Sequence, residues 1–153
     1  MATSTLVQFL NPGVSSDTMN RSQEETFLAG GIIALGDWVA FDLSKTGADK
    51  ALYVVQAPNV AASGIITGVA VQAAAAGEQV RVCVDGYVAS ANVATGTGAG
   101  AALQCSGTAG RAESASYIGD GSGAAAIPLP AICGVALTAA AGNTAEVMVK
   151  KQF

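Results

Sequence analysis

The chain has no histidine, three cysteines and only 12% charged residues in a length of 153. Each shortage removes a class of chemistry. Without histidine, a serine or cysteine nucleophile lacks its usual general base. The cysteines, Cys83, Cys105 and Cys133, are far apart, form no C-x-x-C pair and find no histidine to complete a zinc site. They read as small reduced thiols in or near a core. Ordinary globular chains carry roughly 25% charged residues. Half that value leaves Ser, Thr, Gln, Asn, Gly and Ala to finish the surface, which suits packing against other protein subunits. The net charge is -4, and Lys150-Lys151 is the one adjacent basic pair. Direct nucleic-acid binding, which needs several phosphate-neutralising cations, is not expected.

Long apolar runs are missing too. Gln8, Asn11 and Pro12 interrupt the N-terminal apolar residues, so no secretory signal is expected. Ala29–Leu35 and Ala57–Ala76 are broken by Gly, Pro, Asn and Ser, unlike the roughly 20 apolar residues of a membrane helix. No membrane partner is expected. The glycine-rich GTGAGAAL lacks the third glycine of a dinucleotide loop and the lysine of a P-loop. GDGSG at 119–123 has the wrong spacing for a nucleophile elbow. Glu24-Glu25 follows Ser22, and Ser22-x-x-Glu25 fits the capping box of a short helical turn rather than a catalytic pair. The sequence therefore predicts no catalytic residue, no cofactor and no metal: a protein that is not an enzyme.

What is present is glycine, 19 residues of it, punctuating short runs of Val, Ile and Ala. In VRVCVDGYV, Val80, Val82 and Val84 point one way while Arg81, Cys83 and Asp85 point the other, the period of a half-buried strand. Before it stands GVAVQAAAAGEQ. Four alanines favour helix, but they make little more than one turn before Gly77, too short to be stable alone. The reading is strand, tight connector, strand. GVALTAAAGNTAEVMV at 134–149 repeats it, with Ala145, Val147 and Val149 alternating against Glu146, Met148 and Lys150. Upstream, GAALQCSGTAGRA occupies the position of GDWVAFDLSKTGADKALYV. Two related β modules, roughly 30–88 and 91–149, are expected to join into a small all-β barrel or sandwich over residues 30–153.

Residues 1–29 stand apart. Leu6, Val7, Phe9 and Leu10 can form one strand, but Pro12-Gly13 leads into a polar stretch rather than a partner strand. They read as an N-terminal arm that finds its partner on another chain or on its own domain edge. Large aromatics are scarce at 5%, which makes Phe27 and Trp38 candidate interface anchors, with a core position for Trp38 the competing reading.

The run DGYVASANVATGTGAGAALQCSGTAG, followed by ICGVALTAAAGNTAEVMV, resembles the small capsid decoration (cement) proteins of tailed double-stranded DNA bacteriophages. The similarity rests on Gly86-Tyr87-Val88, on Gly100-Ala101-Ala102-Leu103 and on Gly134-Val135-Ala136-Leu137. It covers about half of the chain well, through structural glycines and core valines. It implies a homotrimer made in the host cytoplasm that binds the outer surface of an icosahedral virion and clamps adjacent major capsid protein subunits. On that reading Leu6, Val7, Phe9, Leu10 and Pro12 form the capsid-binding arm. Two other classes stay open: another self-assembling subunit of a tail, fibre or surface layer, and an enzyme or carrier domain, which requires a concave pocket with convergent polar groups.

Overall fold

In the first half of the chain five strands close on themselves. The structure, a computed structural model, describes residues 22–59, 66–115 and 132–150. The first half holds β1 (Gln23–Ala29), β2 (Trp38–Phe41), a one-turn helix α1 (Asp49–Leu52), β3 (Tyr53–Gln56), β4 (Ile66–Ala70) and the start of β5 (Gln79–Asn92). The order is β1-β3-β2-β4-β5, and β5 returns to β1, with Phe27 opposite Val80 and Glu25 opposite Val82. All neighbours are antiparallel except β1 and β3, where Leu28 lies beside Tyr53 and Ala29 beside Val54. A closed sheet has no edge left to recruit stray strands. The chain is thus all-β, with a five-stranded barrel and further strands beyond it.

Those further strands are β6 (Ala102–Cys105), β7 (Ala112–Ser114), β8 (Gly134–Ala136) and β9 (Thr144–Val149). They continue from the second half of β5 in the order β5-β9-β8-β6-β7. A parallel bridge between Val93 and Ala112 brings the two ends of that order together. This pairing pattern is the first one over again, with Ala94 N–H donating to Ala112 C=O as Gly30 N–H donates to Val54 C=O (both 2.7 Å). Gly36 N–H donates to Ala70 C=O at 2.8 Å, and Gly100 N–H to Ala136 C=O at 2.7 Å. Val71 N–H donates to Arg81 C=O at 2.9 Å, and Leu137 N–H to Glu146 C=O at 2.7 Å. The hydrogen bonds draw the units as 23–85 and 86–149, so the first begins at Gln23 rather than near Gly30. The hand-off falls within β5: Asp85 is the last partner of β1, Gly86 the first partner of β9. Gly86 has φ 109, a conformation open to glycine at little cost, and there one continuous strand changes sheets.

The repeated GVA explains itself at Gly68 and Gly134. A Cβ at 68 would run into the Cys83 carbonyl oxygen, and one at 134 would sit 2.6 Å from that of Met148. Both glycines let two backbones approach where a side chain would separate them. The alanine connector is a turn, as expected: Ala74 and Ile33 exchange two backbone bonds (2.9 and 3.0 Å), and Ala75 N–H donates to Glu78 Oε2 (2.8 Å). Ile32-Ile33 forms no strand and supplies one isolated bridge, Ile33 to Ala74. The helical turn expected at Ser22–Glu25 is corrected to strand. Locally the motif suits a cap, but the edge of β5 offers this segment a full ladder, and Arg81 reaches Glu24 Oε2 at 3.2 Å.

Two cores result. Phe27, Val39, Val54, Val80, Val82 and Val84 fill the barrel, with the Phe27 and Phe41 rings edge to face at 6.1 Å. The second core holds Val88, Val93, Leu103, Val147 and Val149 together with Trp38, Ile66, Val69 and Cys83, which come from the outer face of the barrel wall. The β2–β4–β5 wall is therefore covered on both sides, and every residue of β4 is buried. Corresponding positions differ in size. The pair Phe27–Val80 becomes Ala91–Ala145, and Val54 becomes Ala112. Trp38 fills the room so created, its ring 3.2 Å from where a Gly134 Cβ would stand.

Candidate functional site

The residues singled out from the sequence fall into two groups. Leu6, Val7, Phe9, Leu10 and Pro12 lie outside the described residues. Phe27 and Trp38 are core residues, 7% and 0% exposed, and offer no surface to a partner. The reason is the hollow second unit, which needs one large side chain from the first, and the barrel, which needs one at Phe27.

Among the described residues the buried carboxylates are engaged internally, while Trp38 Nε1 and Thr67 Oγ1 are buried without a hydrogen-bond partner. The Asp37 carboxylate, at the entrance to β2, accepts from Ala34 N–H (2.9 Å), Gln56 Nε2 (2.6 Å) and Asn92 Nδ2 (2.8 Å). Those donors come from the β1–β2 turn, the end of β3 and the end of β5, so the cluster ties the two units together. Asp42 accepts from the Ser44 hydroxyl (2.6 Å) and from Ser44 N–H (3.0 Å), with Lys45 Nζ at 3.8 Å. The hydroxyl bond, ahead of the opposing cost of burial, holds its carboxyl below the usual carboxylate range. The thiols are quiet. Burial pushes Cys83 up to about 11 and Cys133 up to about 12, so neither is a nucleophile near neutral pH.

Among the described residues no group of three Cys, Asp or Glu side chains is placed to hold a metal. A shallow hollow of about 370 Å³ is lined by Ile32, Ile33, Ala73, Ala74, Ala75 and Glu78. Its one charged group, Glu78, is already bonded to Ala75 N–H. Among the described residues no helix is long and apolar enough to cross a membrane.

Among the described residues, large apolar side chains are exposed in three places: Ile32 and Leu35 in the β1–β2 turn, Leu43 and Leu52 in the β2–β3 hairpin, and Val135 on β8, Leu137 just beyond it and Met148 on β9. Val135 and Met148 are direct cross-strand partners, and Ala102 continues their row on β6. The sequence reading missed these. The signal was present in GVAL, where Val135 and Leu137 alternate with the inward Gly134 and Ala136 and so must point out.

No protein-family model and no curated protein sequence matches the chain. Among solved structures, the fold is similar to that of the N base of head fiber gp8.5 in bacteriophage phi29, with TM-score 0.55 and 15% identity. The likeness covers 84% of this chain and 94% of that one, so the folds correspond almost end to end.

Proposed function

We propose that this chain is a structural protein of a bacteriophage virion, placed on the outer capsid surface, where a small homo-oligomer, a trimer by the family resemblance, ties adjacent major capsid protein subunits together. The observation that carries this reading is the fold shared over 84% of the chain with the base of a phage head fibre. It agrees with the sequence resemblance to capsid decoration proteins, which rests on different grounds. The described surface adds support: its distinctive features are exposed apolar side chains, and its polar clusters are spent inside the fold. Binding energy alone would do the work. Leu6, Val7, Phe9 and Leu10 would add a strand to a capsid protein edge, main-chain bonds giving affinity and alternate side chains specificity. Several arms on one oligomer multiply weak contacts through effective concentration.

The test is removal of residues 2–13. The truncated chain should remain folded and soluble and should no longer decorate expanded shells. Undiminished binding would refute the arm. The head-fibre likeness also favours a second reading, a subunit of a fibre-type assembly. Electron microscopy of the chain alone separates the two, since a fibre subunit builds longer objects while a cement protein stays a small closed particle.

A further inference from the structure

The duplicated topology supplies a comparison within one molecule. In the first unit, the outward row Trp38–Val69–Cys83 crosses β2, β4 and β5 in direct register, and all three side chains are 0% exposed because the second unit covers them. The covering element includes the β6–β7 hairpin. Gly110, near its end, accepts from Trp38 N–H and donates to Ala57 C=O, both at 3.0 Å. In the second unit the corresponding row is Ala102–Val135–Met148. It is apolar as well, and Leu137 extends it, yet Val135, Leu137 and Met148 are all exposed. Ala115 N–H donates to Ala102 C=O at 2.7 Å just as Ala57 N–H donates to Trp38 C=O at 2.8 Å, but no described residue takes the place of Gly110.

The element that corresponds to the β6–β7 hairpin is the β2–β3 hairpin, since Asp42 N–H donates to Tyr53 C=O (2.9 Å) as Ser106 N–H donates to Arg111 C=O (3.1 Å). It carries two exposed leucines, Leu43 and Leu52, and Leu52 stands where Gly110 stands in the second unit. We infer that the Ala102–Val135–Met148 face binds the β2–β3 hairpin of a second copy of this chain. The contact continues between molecules the packing that already joins the two units within one. Exposed Asp49 and Lys50 on the hairpin complement Lys150 and Glu146, which border the face. Because hairpin and face are different surfaces, the contact is head to tail: it builds a ring where the rotation between copies closes and an open filament where it does not. This deepens the self-association in the proposed function and rests on that part of it, not on capsid binding.

The test compares the full chain with Leu52→Glu and Met148→Glu by sedimentation over a range of concentrations. Both substitutions are at exposed sites, and thermal melting checks the fold; Leu43→Glu and Leu137→Glu serve as a second pair. Each variant alone should dissociate, with apparent affinity weakened by about 30-fold or more, the size of a hot-spot loss. An equimolar mixture of the two should form a dimer, because one intact hairpin still meets one intact face. A parent chain that is monomeric throughout refutes the self-association itself. A parent oligomer that survives in both variants leaves self-association standing and overturns this surface. Dissociation by Met148→Glu alone shows the face pairing with itself, and a lowered melting point with unchanged assembly shows it covered by its own chain; either outcome overturns the hairpin as occupant.

Discussion

Trp38→Ala should reveal how the two units are coupled. Trp38 is fully buried, and its ring lies in a core whose own strands contribute Ala91, Ala112 and Ala145. Truncating a buried aromatic costs about 3–5 kcal/mol, the lost transfer energy plus the cavity left behind. In a domain of this length each kcal/mol moves the melting midpoint by roughly 2–4 °C, so a fall of about 6–20 °C is expected in calorimetry. Trp38→Phe should cost much less, because the indole Nε1 is buried with no hydrogen-bond partner among the described residues and its loss removes no bond. The sharper check is a second-site change. Ala112→Val restores the size found at the corresponding Val54 and should recover part of the loss in the Trp38→Ala background. In the parent chain, where the room is already taken, the same change should destabilise by about 1–3 kcal/mol through overpacking. A midpoint shift below ~2 °C for Trp38→Ala, or the same sign for Ala112→Val in both backgrounds, would refute the idea that one residue fills the second unit.

Val82→Asp and Val147→Asp, at corresponding fully buried positions in the two cores, should each abolish folding. A soluble, native-like product by circular dichroism would show that the strand faces are misread. The buried thiols should resist a disulfide reagent at pH 8 in the native protein, and all three cysteines should react on unfolding in urea. Since Cys83 and Cys133 hold their protons more tightly folded than at the usual 9, stability should fall as pH rises from about 9 toward 11–12, and a flat denaturation midpoint across that range would contradict it.

Much of the scaffold is legible because it is local. The alternation of Val80, Val82 and Val84 and that of Ala145, Val147 and Val149 each predict a strand with one buried face, and the buried residues are those valines and that alanine. The paired GVA segments announce a duplication because Gly68 and Gly134 answer the same steric demand. What escapes a single sequence depends on the other half of the chain. Cys83 belongs to the polar-looking face of VRVCVDGYV, yet it is buried because the second unit lies against it. Ser22-x-x-Glu25 has a valid local meaning, which a ladder to β5, far along the chain, overrides. Phe27 and Trp38 stand out by their rarity, but rarity does not say whether an aromatic fills a core or meets a partner. That is decided by the Ala91 and Ala112 positions, which share no residue identity with Phe27 and Val54.

Duplication also bears on how such a scaffold would carry load. The two units share β5, one core and the Asp37 cluster, so relative motion between them requires breaking backbone bonds, desolvated packing and a buried charge network together. In the proposed attachment, tension on the arm would enter at Gln23, the first residue of a strand bonded to β5 on one side and to β3 on the other. Ladder bonds from Gln23–Asp85 to Leu28–Gln79 would resist it side by side rather than one at a time. A protein that ties capsid subunits needs that stiffness behind a compliant contact. In that proposal the stiffness would come from β1, which closes the barrel from Gln23 onward.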